Sequence, residues 1–315
     1  MDISVVVVTY NPDSSKLFST LKSVICQKKV SFEIIIADDG SKHFNKEKIE
    51  QFYKLYNFTN YVFVLNEKNQ GTMKNALTGW RAAKGKYIKQ LSPGDFLYEE
   101  DTLYKLYDNI EKSGATLSFG PEAAYSHSDG KIEFVDYSNP KDIRPYLKND
   151  EKKIRYNYIA KRQFANGMTF LVKSDKLIKY ANEIKDVVKY GEDFTYLYMI
   201  AGDEKVSYLN SYVIWYEYGS GISTNKEDIW FVRLDKDRKA SYDLISHKYT
   251  KWKYTKWKYY DYEDGSKLIR FLWKVYRKIK YIIKNYMTPN KKKEKIIPKN
   301  LPQPNMKYLC DLLAE

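Results

Sequence analysis

Residues 3–8 carry Ile3, Val5, Val6, Val7 and Val8, and this run constrains the fold more than any other stretch. A β-branched run without polar alternation is the pattern of a strand buried on both faces. Such a strand needs cover on two sides, and the chain supplies helices. A turn at Asn11, Pro12 and Asp13 follows, where Asp13 or Ser14 can cap a helix carrying Leu17, Leu21, Val24 and Ile25 at helical spacing. Residues 33–37 read as a second strand ending at Asp38, Asp39, Gly40 and Ser41. A helix over 45–56, a strand over 61–65, a helix over 72–84 and a strand over 86–91 complete the series. The βαβαβαβ order predicts an α/β fold with a mostly parallel central sheet and helices on both faces. From about residue 120 to 160 the pattern weakens, with turns at Asp129-Gly130 and Asn139-Pro140. Patterned segments return at 168–173, 174–182, 192–201 and 206–216.

The 315 residues carry a net charge of +14, and it is unevenly placed. Residues 1–247 hold 36 Lys/Arg against 34 Asp/Glu, whereas residues 248–299 hold 17 against 4. A nearly neutral body with one basic segment points to a polyanionic partner for that segment alone. Cys26 and Cys310 are too few for a disulfide framework or a zinc site, which fits a reduced compartment. No basic leader with a cleavage site is read at the start, and no run of about 20 apolar residues is present. The expectation is a cytoplasmic protein.

In open α/β sheets, ligands bind beyond the carboxyl ends of the strands. The first strand delivers Thr9, Tyr10 and Asn11 there, the second Asp38 and Asp39, and the fourth Ser92, Pro93, Gly94 and Asp95. The first loop has neither the glycine pattern of dinucleotide-binding folds nor a phosphate loop. A phosphate-bearing ligand must then be held by a metal and by cationic side chains. Mg²⁺ or Mn²⁺ prefers carboxylate oxygens and shares its shell with substrate phosphates, and Asp95 is a suitable ligand. Lys74, at the start of a helix, is placed to meet a diphosphate. Taken alone, Asp-Asp-Gly and Ser-Pro-Gly-Asp are also turn chemistry, and Lys74 also suits a solvated surface.

Five segments together carry a resemblance. Val-Val-Val-Val-Thr-Tyr-Asn-Pro (5–12), Ala-Asp-Asp-Gly-Ser (37–41), Asn-Gln-Gly-Thr-Met-Lys-Asn (69–75), Ala-Lys-Gly-Lys-Tyr-Ile (83–88) and Gly-Glu-Asp (191–193) stand in order and register. Over residues 1–225 the chain resembles the inverting glycosyltransferases of family 2, of bacterial surface-polysaccharide type. The resemblance implies a GT-A fold, with a nucleotide-sugar half at 1–100 and an acceptor half at 101–225. It implies that Tyr10 packs on the nucleobase, that Asp39 accepts from its ring N–H, and that Asp38 supports the loop. It implies Asp95 as the metal-motif carboxylate and Asp193 as the base, with Glu192 supporting. The family often has two or three acids in its metal motif, where this chain has Ser92-Pro93-Gly94-Asp95. UDP is the nucleotide implied. The lack of a Gln-x-x-Arg-Trp segment points to single additions rather than polymer synthesis.

Residues 226–315 are expected to form a basic, aromatic-rich helical appendage. Over 268–287, Leu268, Leu272, Val275, Ile279 and Ile283 fall on one helical face, and Arg270, Lys274, Arg277 and Lys284 on the other. This is the pattern of a helix lying on an anionic membrane surface, and equally of one packed on the body with a solvated basic face. A membrane-seeking segment beside a sugar-transfer site points to a lipid-linked saccharide acceptor. Two other classes fit parts of the sequence. One is a polyanion or nucleic-acid binder on a non-catalytic α/β scaffold, although carboxylates at the strand ends repel phosphate. The other is a nucleotidyltransferase, but residues 9–16 lack its glycine-rich basic loop. No nucleic-acid partner is expected, and the oligomeric state is not legible.

Overall fold

Strand β1 (Ile3–Thr9) is buried along its whole length, with β2 (Phe32–Asp38) on one side and β4 (Tyr87–Leu91) on the other. A computed structural model describes residues 1–128, 130–138, 140, 142–219, 229–249, 251–252, 271, 275, 279 and 301–314. β3 (Tyr61–Leu65) pairs with β2 at the sheet edge. Three helices connect these strands: α1 (Ser14–Ile25), α2 (Lys46–Leu55) and α3 (Thr72–Ala82). Asp13 caps α1 by accepting from the Lys16 N–H at 3.0 Å, the side-chain cap expected of Asp at that position.

Past β4 the sheet continues through an antiparallel strand, β9 (Phe170–Lys173), to β6 (Leu117–Phe119) and β10 (Val206–Tyr208). The order β10-β6-β9-β4-β1-β2-β3 makes seven strands, parallel except at β9. Side chains alternate between the two faces of the strands. Val6, Val8, Ile35 and Ala37 meet Met73, Leu77 and Trp80 of α3 on one face. Val5, Val7, Ile34 and Ile36 meet Leu17, Leu21, Val24 and Tyr53 on the other. Gly79 lets α3 lie close, because a Cβ there would stand 2.7 Å from Val6 and 2.8 Å from Ala37.

The patternless stretch from 120 to 160 is structured. It forms a hairpin of β7 (Glu122–Ser128) and β8 (Lys131–Ser138), then helices α5 (Arg144–Leu147) and α6 (Glu151–Lys161); α4 (Thr102–Ser113) precedes them. With β5 (Phe96–Leu97) and β11 (Ile214–Glu217) the hairpin makes a second sheet of four strands, a layer not expected from the sequence. Trp215 at its centre stacks on Tyr98, with centroids 4.9 Å apart. Helix α7 (Ser174–Ile184) covers the large sheet beside α8 (Phe194–Ala201).

Two described elements come from residues 226–315. Helix α9 (Ile229–Lys248) buries Tyr242 and Ile245 in the main core, and the Tyr242 hydroxyl donates to the Ile159 carbonyl at 3.0 Å. Helix α10 (Met306–Leu313) places Leu309 and Leu312 under the second sheet. Both pack on the body. Nearly all of the expected surface helix at 268–287 lies outside the described residues. No described helix is long and apolar enough to cross a membrane.

Candidate active site

The carboxyl ends of β1 and β2 are joined by buried polar groups. Thr9 Oγ1 donates to Asp38 Oδ2 at 2.8 Å, and Asp38 also accepts from the Ser41 N–H at 2.7 Å and the Ser41 hydroxyl at 2.5 Å. Asp38 is thus the brace of its loop. Thr9 lies beneath the surface, 2% exposed. Asn11, at φ 45°, accepts from the Lys42 N–H at 3.1 Å, while Tyr10 stands half in solvent. Asp39 is 2% exposed. Its oxygens accept from the Gln70 N–H, the Gly71 N–H and the Asn66 amide, at 2.9, 2.9 and 3.2 Å. It gathers the loop ahead of α3 from below.

A pocket of about 600 Å³ opens next to that loop. It is lined by Thr72, by Ser92, Pro93, Gly94 and Asp95, and by Glu192 and Asp193. Its far wall is α9, through Trp230, Leu234 and Arg238 among others. Three carboxylates from two distant segments therefore share one cavity. Another hollow, of about 680 Å³, is lined by Glu47, Glu50, Gln51 and Lys54 on the α2 side, away from these strand ends. It gathers no comparable set, so the chemistry is assigned to the first pocket.

Asp193 is the N-cap of α8, yet its side chain makes no capping hydrogen bond. Its carboxylate lies against Gly167 in a 3₁₀ turn (Gly167–Thr169), where any Cβ would overlap it. Glycine at 167 is what makes room for the acid. Glu192 accepts from the Gln90 amide at 2.8 Å. Asp95 accepts from the Ser92 N–H at 2.8 Å. Lys89, wholly buried in β4, donates to the Met168 and Phe170 carbonyls.

Burial governs the ionisation here, because removing water penalises charge. It raises Asp95 to about 6, with the Ser92 N–H and Lys89 opposing. It lowers Lys89 to about 7, with Asp95 and Asp193 opposing. Enclosure also raises Asp193 above the usual carboxylate range although the side chain stays open to the pocket, and the Asp95 charge adds to the effect. Glu192 is raised by burial and then by the charge on Asp193.

Of the residues expected at the site, Gly94, Asp95, Glu192 and Asp193 line the pocket, while Thr9, Tyr10, Asn11, Asp38 and Asp39 lie at the carboxyl ends of β1 and β2 and are not among its lining residues. Lys74 is exposed on α3 and is not among the lining residues. Lys16 stands there instead. It pairs with Glu217 at 2.7 Å, in the first turn of the helix that follows β1. Arg238, paired with Asp235 one turn away, is the second cation. Among the described residues no three His, Cys, Asp or Glu side chains converge as a preformed metal site. Asp95 offers a single carboxylate at a strand end. That donor set fits Mg²⁺ or Mn²⁺ held by one carboxylate together with substrate phosphates.

Residues 4–180, more than half of the chain, match the family described as Glycosyl transferase family 2, and the chain belongs to that family. It is 32% identical over 133 residues to glycosyltransferase GlyG of Streptococcus pneumoniae serotype 4, a match covering 42% of each chain. It is 26% identical over 255 residues to glycosyltransferase GlyA of the same organism, covering 79% of this chain and 34% of GlyA. The chain thus spans less than half the length of these relatives. Staphylococcus aureus TarS 1–349, solved in complex with UDP, superposes over 90% of this chain and 78% of its own, with TM-score 0.54 and 17% identity. That likeness shows the GT-A fold.

A buried acid raised above its ordinary value costs stability when ionised. Below pH 3.8 Asp95 is protonated folded and unfolded and the cost is absent; it grows as pH rises to about 6 and persists above. Asp95→Asn keeps an acceptor for the Ser92 N–H and removes the charge. Without donor or divalent cation at pH 8, this variant is more stable than the parent by on the order of 1–3 kcal/mol. The difference shrinks toward pH 4, and urea midpoints at three pH values measure it. Equal stability at every pH would show that Asp95 bears no desolvation cost.

Proposed function

We propose that this chain is an inverting hexosyltransferase that moves a sugar from a UDP-sugar to a saccharide acceptor. The observation that carries the reading is the pocket in which Asp95, Glu192 and Asp193 meet, with the Asp193 carboxylate uncommitted to its helix. Family membership supports the reaction class. The TarS relative, solved with UDP, supports the nucleotide.

Tyr10 and Asn11, just past the end of β1, meet the base and ribose, while Asp38 and Asp39 fix the adjoining loops. The diphosphate lies toward Gly94 and Asp95, with Lys16 and Arg238 as cationic neighbours. Asp95 is the residue that would hold Mg²⁺ or Mn²⁺, which offsets charge on the departing diphosphate when bound. Asp193 takes the proton of the acceptor hydroxyl as that oxygen attacks the anomeric carbon from the face opposite the nucleotide. A new C–O bond forms, the bond to the diphosphate oxygen breaks, and the configuration inverts. Glu192, held by Gln90, is raised by burial and by the charge on Asp193 and so keeps its own proton, while the charge on Asp95 raises the proton affinity of Asp193.

The acceptor is a lipid-linked intermediate of surface-polysaccharide assembly at the inner face of the membrane, and residues 248–299 draw the enzyme to anionic lipid. What supports this is the charge of that segment, 17 Lys/Arg against 4 Asp/Glu. The competing polyanion-binding reading rests on the same segment, most of it outside the described residues.

Asp193→Asn preserves shape and removes the proton acceptor. Transfer from UDP-sugar falls about 10²–10⁴-fold while donor binding holds. EDTA removes parental transfer, and Mn²⁺ or Mg²⁺ restores it. Wild-type turnover in Asp193→Asn would sink the assignment of the base. For the membrane, full-length protein sediments with anionic vesicles at low salt and is released at about 0.5 M salt, where screening is short-ranged. Sedimentation indifferent to salt and lipid charge would refute the membrane role.

A further inference from the structure

Helix α9 does more than wall the pocket. Asp237, in its middle, is 5% exposed, and its Oδ2 accepts three successive backbone N–H groups. These are Lys189 at 3.0 Å, Tyr190 at 2.5 Å and Gly191 at 3.0 Å. Consecutive N–H groups turned inward form a concave anion site, and here a side chain of the same protein fills it. The next two residues are Glu192 and Asp193. From the clamped segment the chain turns directly into α8, through Phe194 N–H to Gly191 O at 3.0 Å and Tyr196 N–H to Asp193 O at 3.0 Å. The other side of the segment is also held, since the Lys189 carbonyl accepts from the Met73 N–H at 3.0 Å.

We propose that Asp237 is a positioning residue for the catalytic motif: by clamping 189–191 it sets where the Asp193 carboxylate stands in the pocket. The proposal rests on the reading of Asp193 as base. The reason is mechanical. Asp193 has no side-chain bond to its own helix, and its carboxylate is met across the pocket by the Gly167 backbone N–H. Where it stands relative to that N–H depends on the backbone that carries it. Without Asp237 three N–H groups, one buried and two partly buried, lose their acceptor and the segment rearranges to find water. The strand ends of β1 and β2 are braced separately by Asp38 and Asp39 and meet this segment through a backbone bond, Met73 N–H to the Lys189 carbonyl.

The test compares Asp237→Ala, Asp237→Asn and Asp193→Asn with the parent in steady-state transfer, UDP titration and amide exchange of the segment 186–195. In Asp237→Ala, kcat falls by about 10²-fold, the cost of misplacing a reacting group by about 1 Å. The UDP dissociation constant holds within about twofold of the parent's 1:1 value, since a 1.4 kcal/mol change would already be tenfold. Exchange at 189–191 speeds up. Asp237→Asn keeps an oxygen acceptor and the shape but loses the charge, so its kcat falls by about tenfold, between that of Asp237→Ala and the parent. If Asp237→Ala does not fold, Asp237→Asn still decides, with a lowered kcat and faster exchange at an unchanged melting temperature. Parental kcat in the folded Asp237 variants, beside an inactive Asp193→Asn, overturns the clamp and leaves the base. Loss of UDP binding in step with kcat overturns it as well, because the effect is then not confined to the base. Parental kcat in Asp193→Asn overturns the base reading on its own.

Discussion

Three carboxylates and one ammonium meet around the end of β4, and the rest of the structure is arranged to hold them there. Asp95, Glu192 and Asp193 line one cavity, and Lys89 lies wholly buried near two of them. Grouping like charges out of water costs free energy, so each acid is raised and the lysine lowered. Nothing in the core requires this. Such an arrangement persists when the charges act on a ligand that brings opposite charge, and a diphosphate with its cation does so. Strand β4 is the element that makes it possible. Fully buried on both faces, it carries Lys89 and Gln90 inward and ends at Ser92-Pro93-Gly94-Asp95.

Two further carboxylates hold backbone in place. Asp39 gathers the N–H groups of Gln70 and Gly71, and Asp237 those of Lys189, Tyr190 and Gly191. The two clamped loops touch each other, through Met73 N–H to the Lys189 carbonyl and through the close approach of Gly71 to the same oxygen, 2.9 Å from where its Cβ would stand. Gly71 has φ 93°, a conformation that glycine alone adopts freely. A continuous line of backbone contacts thus runs from the loop ahead of α3 to the segment ahead of α8. Charge-assisted bonds to backbone N–H groups are about twice as strong as neutral ones, which suits loops that must keep their place.

The nucleotide half was legible because its physics is local. A seven-residue buried strand, an Asp cap and helical spacing fixed β1 and α1 within a residue or two, and the rule of ligands at carboxyl ends pointed to Asp95, whereas only the resemblance pointed to Asp193. The hairpin Glu122–Ser138 was not legible, because Ala123, Ala124, Ser126 and Ser128 lack strand preference, and the burial of Ala123 and Ala124 arises only in the assembled fold. Lys16 was findable, since it lies in the first turn after β1, at the same edge as the other site residues. The polar pair Lys89-Gln90 inside a buried strand was a second signal that went unused. Asp237 offered none. It sits in a run of alternating charges, Asp235 to Lys239, that reads as a solvated helix face. Its function arises only from the tertiary approach of α9 to residues 189–191.

The central claim is that a sugar donor lies between Asp95 and Asp193, and a crystal structure with a non-hydrolysable UDP-sugar and Mn²⁺ tests it most directly. The account predicts the diphosphate at Gly94 and Asp95, and the anomeric carbon facing Asp193 across a gap that fits one hydroxyl, its oxygen about 3 Å from the carboxylate. A nucleotide seated elsewhere, or a sugar directed away from Asp193, would contradict it.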